Sequence, residues 1–574
     1  MLGPLMMVLA MTMTAGVAAA AQSPYPVALE FGVRIPMRDG IALSTDIYRP
    51  DSPGRFPVIL VRTPYDNGLA SSRRAGKHWA TLGYVYAVQD VRGRGDSDGE
   101  FYPLVAEAKD GHDTIEWLAR QPWSSGRVGT TGGSYLGWTQ VYAAIENPPS
   151  LKAMVPIVTP ADPDRNFPMQ FGAFGPTVVS WLAYISGKTL QDISELDLNA
   201  AYTTLPLREA DRVLGWTSKA WRDWLDHPAQ DEYWRAQRYQ ERLLQSDVPM
   251  LHVSGWYDDV LSGTLENFVA LTSSRGPAGA RARQRLIVGP WGHGVNQSTK
   301  MGEIDFGPTA LIDLPGIQRR WFDRWLKDDR NGVDTEAPVR IFVMGRNVWR
   351  DEQEWPLART RYLKYYLRSG GNANTLFGDG RLDTLPPDRE PADRYRYDPA
   401  NPTPFITEPS FSQVGGPDDY RGVERRDDVL VYTADPVRQP TEICGPLVVR
   451  LVAASSAKDT DWATKVLAVR PDGFAMRLND GLVRARFAKD PSREQFVTPG
   501  QAEAYQIDNW ATCFVLEPGW RLRLEVASAA FPKFDRNLNT GGRIGYEAVG
   551  VAADQTVFHE RGRESYVVVP VITR

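Results

Sequence analysis

The architecture of this chain can be read from one stretch, Arg127-Val-Gly-Thr-Thr-Gly-Gly-Ser134-Tyr-Leu-Gly137. An extended approach runs into Gly132, small residues surround Ser134, and a helical run follows. This is the layout of a nucleophile elbow, in which a strand turns sharply into a helix and presents a serine at the tip. The usual pattern has glycine two residues after the serine, where this chain has Leu136. A Gly-rich turn with a serine is often only a turn, so the partners of Ser134 decide its interpretation.

A serine nucleophile needs a base, and the base needs an orienting acid, in the chain order serine, acid, histidine for this class of fold. The chain has six histidines. His78 and His112 precede the serine, and His227 lies in a helical stretch. His252 lies in a buried strand, and His559 is far away in the C-terminal region. Of these, His252 is typical of a core histidine. His293 remains, in a loop directly after a buried-strand pattern, where catalytic groups of open α/β sheets gather.

The acid should end the strand that precedes the histidine. There the sequence reads Met250-Leu-His-Val-Ser-Gly-Trp-Tyr-Asp258-Asp259. We assign the acid to Asp258 and keep Asp259 as the alternative. The elimination therefore predicts a catalytic triad of Ser134, Asp258 and His293.

Three blocks of the sequence resemble the catalytic blocks of the CocE/NonD hydrolases: Gly132-Gly-Ser134-Tyr-Leu-Gly137, Gly255-Trp-Tyr-Asp258 and Gly289-Pro-Trp-Gly-His293. That family includes bacterial cocaine esterase and glutaryl-cephalosporanic-acid acylases, and is related to X-Pro dipeptidyl-peptidases of the S15 type. Its elbow reads G-x-S-Y-x-G, which accounts for Leu136. Four more stretches look similar in the same order: Arg62–Asp66, Gln89–Gly95, Asp113–Trp117 and Phe531–Asn537.

The resemblance implies an oxyanion hole made by the Tyr65 hydroxyl and the backbone N–H of Tyr135. Tyr65 follows an apolar run at the end of a predicted strand, although by itself this stretch reads as a turn with a packed aromatic ring. Two preorganised donors would stabilise the alkoxide that develops in a tetrahedral intermediate.

The 574 residues are too many for a single core, and the pattern divides them. Residues 22–355 alternate buried strands with helices, which predicts an α/β-hydrolase domain with a mainly parallel sheet. Seven of its strands are predicted at Val58–Val61, Val85–Gln89, Val128–Thr131, Ala153–Val158, Met250–Val253, Arg285–Val288 and Val339–Met344. The alternation stops over 160–244, a helical stretch that the family resemblance identifies as a cap. Residues 356–574 predict a β-sandwich, jelly-roll-like by the same resemblance.

The cap stretch is rich in tryptophan, with Trp181, Trp216, Trp221, Trp224 and Trp234. Such a composition predicts an aromatic shelter for a bound acyl group, although most of these side chains should be core residues.

Residues 1–21 are typical of a secretory signal peptide, because Leu2 to Ala21 carries no charge and ends in three alanines. No Lys or Arg precedes the apolar run, so a retained anchor is the alternative. The prediction is a periplasmic or secreted protein. In such a compartment Cys444 and Cys513 would form either a disulfide or two buried thiols, and their spacing does not choose.

Composition argues against several functions. The net charge is −5 without blocks of like charge, so neither nucleic acid nor an anionic membrane is an expected partner. No cofactor or metal is expected. The loop Arg92–Gly99 lacks the Lys-Ser/Thr ending of a phosphate-binding loop and predicts a structural turn near the elbow. The acids Asp459, Asp461, Asp472 and Asp480 fit no calcium loop and predict turns and surface charge.

Together these patterns predict a serine hydrolase of carboxylic esters or amides, working through an acyl-enzyme on a small-molecule substrate, like cocaine esterase or a glutaryl acylase. An X-Pro dipeptidyl-peptidase or an α-amino-acid ester hydrolase is the alternative, and a non-catalytic carbohydrate-binding protein is a distant one. Relatives that hold a substrate ammonium carry extra carboxylates where this chain has Pro168, Val260 and Leu261. Acyl groups without an amine are therefore expected, and the oligomeric state, including a homo-oligomer, is open.

Overall fold

The computed structural model describes residues 24–407 and 415–572. The predicted signal peptide lies outside the described residues. Within the described part of the chain, no helix has both the length and the apolar character needed to cross a membrane.

The N-terminal domain is built on one ten-stranded sheet with the order β1-β2-β4-β3-β5-β6-β7-β8-β9-β10. Its strands are β1 (Val27–Pro36), β2 (Ala42–Pro50), β3 (Phe56–Thr63), β4 (Val85–Asp90), β5 (Ser124–Gly133), β6 (Leu151–Ile157), β7 (Met250–Gly255), β8 (Gln284–Gly289), β9 (Val339–Val343) and β10 (Val348–Glu352). Strands β3 to β9 pair in parallel, and β1, β2 and β10 pair antiparallel at the edges. Each of the seven predicted strands lies in this sheet, so the predicted α/β class is confirmed.

Helices cover both faces of the sheet because its central strands are apolar on both sides. Successive residues of β3 show this: Val58 and Leu60 pack into one core, and Ile59 and Val61 into another. The five helices of this domain are α1 (Ala70–Thr81), α2 (Glu107–Ala119), α3 (Tyr135–Ala144), α10 (Leu261–Thr272) and α11 (Leu314–Leu326). With parallel strands, the loops that follow them gather at one edge of the sheet, where a site is expected.

Between β6 and β7 the chain leaves the main sheet and forms a two-residue hairpin, in which Met169–Gln170 pairs with Ala173–Phe174, and six short helices. They are α4 (Val178–Tyr184), α5 (Leu198–Thr203), α6 (Ala210–Val213), α7 (Lys219–Asp226), α8 (Glu232–Arg235) and α9 (Gln240–Leu243). Trp221, Trp224 and Trp234 are fully buried in this cap. Their burial is what holds helices this short in place, because isolated helices of such length are not stable in water.

In the described parts of 356–407 and 415–572, the C-terminal domain contains eleven hydrogen-bonded strands. They are β11 (Thr360–Arg368), β12 (Arg381–Asp383), β13 (Asp393–Tyr397), β14 (Leu430–Ala434), β15 (Thr441–Ser455), β16 (Asp461–Val469), β17 (Ala475–Arg484), β18 (Glu503–Leu516), β19 (Arg521–Ala527), β20 (Ala553–Phe558) and β21 (Tyr566–Ile572). The strand order is β13-β20-β15-β21-β11-β12-β14-β19-β16-β17, with β18 on β15. A β-sandwich was predicted here, and the β-rich domain agrees with it.

Cys444 and Cys513 occupy directly paired positions of β15 and β18 and form a disulfide. Of the two alternatives left open by the sequence, the bonded one is observed.

The prediction of surface charge for the acidic residues of this domain was wrong for three of the four. They are buried in ion pairs: Arg486 with Asp459 at 2.7 Å, Arg484 with Asp461 at 2.9 Å, and Lys533 with Asp480 at 2.7 Å. Each carboxylate is stable there because a cation and further hydrogen bonds replace water. Only Asp472 lies in an exposed turn, as predicted.

Candidate active site

Ser134 stands at the tip of the turn from β5 into α3. Its backbone has φ 61° and ψ −123°, in the left-handed half of the map that non-glycine residues rarely occupy. The backbone N–H of Ser134 donates to the carbonyl oxygen of Ile157 at 3.0 Å, which anchors the turn to β6. The strained serine at a strand–helix junction is the geometry of a nucleophile elbow.

The structure also explains why Leu136 is tolerated in this turn. A Cβ atom added at Gly137 would lie 2.3 Å from the Thr159 hydroxyl, so a side chain cannot fit there. Gly132, with φ 141°, has a conformation that other residues resist. The close approach that demands glycine is thus at position 137, one residue later than the usual pattern places it.

His293 and Asp258 form a hydrogen-bonded pair beside this turn. The distance from His293 Nδ1 to Asp258 Oδ1 is 2.8 Å, and Asp258 is completely buried just beyond the end of β7. The other carboxylate oxygen accepts a hydrogen bond from the Ser254 hydroxyl at 2.9 Å. Because the carboxylate holds Nδ1, the ring has the orientation that a general base requires, with Nε2 as the basic atom.

Burial by itself would lower the pKa of His293. The hydrogen bond and the negative charge of Asp258 outweigh it, with a contribution from Asp259, and raise the pKa above its ordinary value. Asp259 lines the neighbouring cavity, whereas Asp258 makes the hydrogen bond to the ring. The geometry therefore favours Asp258 over the alternative acid.

Tyr65 lies just after β3 and faces the serine. Its hydroxyl oxygen accepts a hydrogen bond from the Trp181 indole N–H at 3.0 Å. Burial raises the pKa of Tyr65 to about 12, against opposing effects of the Trp181 N–H and the Ser134 hydroxyl. The phenol therefore keeps its proton at neutral pH and can act as a donor.

Tyr135 is the first residue of α3, where a backbone N–H has no partner within the helix. Its side chain is fixed away from the serine, because the phenol donates to Glu107 Oε1 at 2.9 Å and accepts from the Leu104 N–H at 3.0 Å. The backbone N–H and the Tyr65 hydroxyl are the two donors that the resemblance implied.

Ser134, His293, Tyr65 and Tyr135 all line one cavity of about 430 Å³. Its other walls are mostly apolar and come from three parts of the chain. They include Trp138 and Val260 of the catalytic domain, Phe167, Pro168, Val178 and Trp181 of the cap, and Trp510, Lys533 and Phe534 of the β-rich domain. The volume is in the range of small-molecule sites.

Fewer cap tryptophans line the cavity than the predicted aromatic shelter suggested. Of the five tryptophans named there, Trp181 alone lines the cavity, and the others lie in or against the core that the cap shares with one face of the sheet. Among the positions expected to be apolar, Pro168 and Val260 line the cavity, while Leu261 is buried in α10.

Sequence reasoning missed the wall supplied by the β-rich domain. Lys533 and Phe534 fall in a block that resembled the family, but no periodicity placed that block against the serine. Trp510 carried no signal at all.

Two further expectations are confirmed. His252 is a core histidine: its Nε2 lies 3.0 Å from Gln284 Oε1, and burial lowers its pKa to about 4. The loop that contains Arg94 is a structural turn, since the buried guanidinium donates to backbone carbonyls on both sides of the site, Pro64 at 2.8 Å and Ile185 at 2.7 Å.

Comparison with known proteins agrees with this geometry. The chain is 36% identical to cocaine esterase of Rhodococcus sp. (strain MB1 Bresler), over 94% of this chain and 98% of that protein. The chain belongs to the CocE/NonD family of serine hydrolases. Two profiles of the related X-Pro dipeptidyl-peptidases also match, the S15 catalytic family over residues 39–295 and its C-terminal non-catalytic domain over 331–568.

Two solved structures have the same fold over almost the whole chain. An α-amino acid ester hydrolase superposes with a TM-score of 0.83 at 27% identity, covering 97% of this chain and 98% of its own. An aminopeptidase from the marine sediment archaeon Thaumarchaeota archaeon superposes with a TM-score of 0.82 at 26% identity, covering 98% and 99%. The protein is a serine hydrolase that acts on esters or amides of small molecules.

Proposed function

We propose that this protein is an exported carboxylic-ester hydrolase. Its substrates are esters of aromatic or apolar acids, whose acyl group is transferred to Ser134. The observation that carries the proposal is one mainly apolar cavity that contains the elbow serine, the His293–Asp258 pair and the Tyr65 hydroxyl.

In the first half-reaction Ser134 Oγ attacks the ester carbonyl carbon, and His293 Nε2 takes the hydroxyl proton. The carbonyl oxygen becomes an alkoxide that accepts hydrogen bonds from Tyr65 and from the Tyr135 N–H. Collapse of this intermediate breaks the bond to the alkoxy group, which leaves as an alcohol with the proton from His293. Asp258 stabilises the imidazolium while it exists.

In the second half-reaction water attacks the acyl-enzyme. His293 accepts a proton from the water and returns it to Ser134 Oγ as the acid departs, so the enzyme is regenerated without any other reactant. The same two donors stabilise the second tetrahedral intermediate.

The apolar character of the cavity wall supports a preference for uncharged acyl groups. Pro168 and Val260 present apolar surface where relatives that bind an ammonium carry carboxylates. Asp259 also lines the cavity, and it is the observation that favours the second candidate, an α-amino-ester hydrolase or an X-Pro dipeptidyl-peptidase. A glutaryl-acylase-like activity would need the cavity to accept a carboxylate; Lys533 supplies a cation on the wall, but its ammonium is already paired with Asp480.

The function is tested with a fluorophosphonate probe and a substrate panel. We expect the probe to label Ser134, and p-nitrophenyl esters of phenylacetate and benzoate to turn over faster than aryl amides, X-Pro dipeptide amides or glutaryl amides. No labelling of a folded protein would favour a non-catalytic, carbohydrate-binding role. Faster turnover of the dipeptide amides would favour the peptidase alternative.

Export is supported by the predicted signal peptide and by the Cys444–Cys513 disulfide, because such bonds persist in oxidising compartments. Expression of the full chain in a bacterium with a periplasm, followed by N-terminal sequencing, tests it. A chain that begins near Gln22 in the periplasm or medium is expected; an uncleaved chain in the membrane fraction would point to an anchor instead.

A further inference from the structure

Trp181 occupies a special position between the cap and the oxyanion hole. It lies on α4, its indole N–H donates to the Tyr65 hydroxyl oxygen at 3.0 Å, and its ring centroid is 5.9 Å from that of Tyr135. One cap side chain thus contacts both residues that supply the donors to the oxyanion.

The helix that carries Trp181 is fixed to the loop that carries Tyr65. The buried Arg94 guanidinium donates from Nε to the Pro64 carbonyl at 2.8 Å and from Nη1 to the Ile185 carbonyl at 2.7 Å. Pro64 precedes Tyr65, and Ile185 follows the last residue of α4. The same Nη1 also donates to the Gly187 carbonyl. One buried cation therefore joins the segment that carries Tyr65 to the helix that carries Trp181, which fixes the distance between these two side chains.

The direction of the hydrogen bond has a chemical consequence. Because the Tyr65 oxygen accepts the indole N–H, the phenol proton cannot point towards Trp181 and is available for the cavity, where Ser134 lies. An N–H that donates to a phenol also polarises its O–H bond and strengthens the hydrogen bond that the phenol donates. Both effects grow as charge develops on the substrate oxygen, which is the condition for an effect on kcat.

We propose that Trp181 is a positioning residue for the oxyanion hole, which orients and polarises the Tyr65 hydroxyl from the cap. The inference rests on the proposed function. It makes the cap a part of the catalytic apparatus as well as a wall of the substrate cavity.

The simpler role of Trp181, a hydrophobic wall for the acyl group, predicts something different. Loss of a wall weakens binding of the ground state and the transition state alike and raises KM. Loss of a positioning hydrogen bond lowers the acylation rate and leaves KM nearly unchanged.

The decisive experiment is a double-mutant cycle with Trp181→Phe and Tyr65→Phe, measured as the rate of the acylation burst with p-nitrophenyl phenylacetate. We expect Trp181→Phe to slow acylation about tenfold, as for one hydrogen bond. Tyr65→Phe should slow it about 10²- to 10³-fold. The double variant should be no slower than Tyr65→Phe alone, because the indole N–H has then lost the oxygen on which it acts.

Trp138→Phe is the matched control. Trp138 also lines the cavity, but its indole N–H donates to the Ala161 carbonyl at 3.1 Å. Its effect should therefore multiply with that of Tyr65→Phe. If Trp181→Phe does not fold, β-(3-benzothienyl)alanine at position 181 replaces the N–H with sulfur at nearly constant shape, and the same tenfold slowing is expected.

Full multiplication of the Trp181→Phe and Tyr65→Phe effects would overturn the proposal, as would a change confined to KM or an unchanged rate with the benzothienyl side chain. Failure of the esterase proposal is recognised separately, because the wild-type protein would then give no burst and no fluorophosphonate labelling.

Discussion

A serine, a histidine and an aspartate meet at two places in this molecule, once at the cavity and once inside the β-rich domain. The second group is Ser369, His559 and Asp393. His559 Nε2 lies 2.9 Å from Asp393 Oδ2 and 3.2 Å from the Ser369 hydroxyl, so the same three side-chain types come within hydrogen-bond distance.

The two groups differ in how their atoms are used. Asp393 accepts hydrogen bonds from Ser369, from the Tyr432 hydroxyl and from the Ala373 N–H, and burial closes the group off. Ser369 donates to the acid itself, and one ring nitrogen of His559 faces both partners. Such an arrangement is a buried polar core, in which the hydrogen bonds around Asp393 compensate for its burial.

At the cavity the three roles are separated. Asp258 is hydrogen-bonded to Nδ1 of His293, Ser134 is on a strained turn, and the Tyr65 hydroxyl and the Tyr135 N–H are the proposed donors to an oxyanion. By composition, both groups could be triads. The separation of roles and the access to a cavity favour the group at Ser134 as the catalytic one.

The sharpest test of this contrast exchanges each serine for alanine. Ser134→Ala should lower kcat about 10⁴-fold or more, and the double variant with His293→Ala should lose little more, because such residues act as a unit. Ser369→Ala should keep kcat and lower the free energy of unfolding by about 1–3 kcal/mol, since it leaves buried polar groups unpaired. Burst kinetics and urea unfolding measure the two effects. A large loss of kcat in folded Ser369→Ala would break the comparison.

The two neighbouring acids, Asp258 and Asp259, should also differ in their effect on kcat. Asp258→Asn should lower kcat about 10⁴-fold, because the amide favours the wrong tautomer of the base and cannot stabilise its charge. Asp259→Asn is the matched control, one residue away and on the cavity wall. If Asp259→Asn were severe and Asp258→Asn kept full activity, the acid would be assigned to the wrong residue.

Loss of one oxyanion donor is expected to cost less. Tyr65→Phe keeps the ring and removes the hydroxyl, so kcat should fall about 10²- to 10³-fold with little change in KM. Tyr432→Phe removes the corresponding phenol from the buried group and should affect only stability. Wild-type kcat in folded Tyr65→Phe would return this tyrosine to a packing role.

The contributions of the two groups to stability should also be lost in opposite directions of pH change. The pKa of His293 is raised above 6.5, and kcat/KM should fall about tenfold per pH unit as pH drops below it. The His293–Asp258 pair stabilises the fold fully below about pH 6.5, and this contribution is lost as pH rises through the folded pKa.

For Asp393, burial opposes the charged form, but hydrogen bonds from His559 and other partners hold the pKa below its usual 3.8. Its contribution to stability is present above that value and lost as pH falls. A pH–rate profile and unfolding at several pH values check both signs. A rate limb at or below pH 5 would contradict the role of His293.

The smallest expected effect concerns the substrate's charge. Phenylacetyl methyl ester should be preferred to phenylglycyl methyl ester by roughly fivefold while the amine is protonated, about 1 kcal/mol for a cation that enters a mainly apolar cavity. The preference should narrow as pH rises from 6 to 9 and the amine loses its charge. A clear preference for the phenylglycyl ester at pH 6 would overturn this expectation and point to an anionic subsite, for which Asp259 is the candidate on the cavity wall.

The parallel sheet and the elbow were predictable because they depend on local order. Buried strands are marked by short apolar runs, such as Val85 to Val88 in β4, and the turn at Ser134 needs glycines at fixed neighbours. Elimination among few histidines then selected His293. The site could be assembled from three short blocks because parallel strands bring their ends together.

What escaped prediction depends on contacts between distant parts of the chain. Asp461 and its cation Arg484 are both buried, yet each reads as surface charge in its own segment. Trp510 reaches the cavity because its strand, β18, packs against α10 and β9 of the catalytic domain. Hydropathy and periodicity depend on residues that are close in sequence, so they do not predict contacts between distant segments.

The wall that Trp510, Lys533 and Phe534 contribute has a consequence for protein engineering. The proposed nucleophile Ser134 and its base His293 belong to the first 355 residues, but a truncated chain that ends there would open the cavity to solvent on one side. The two domains are therefore a poor choice for modular exchange, whereas a small library at these three positions would reshape the acyl pocket from a part of the molecule that holds none of the reacting groups.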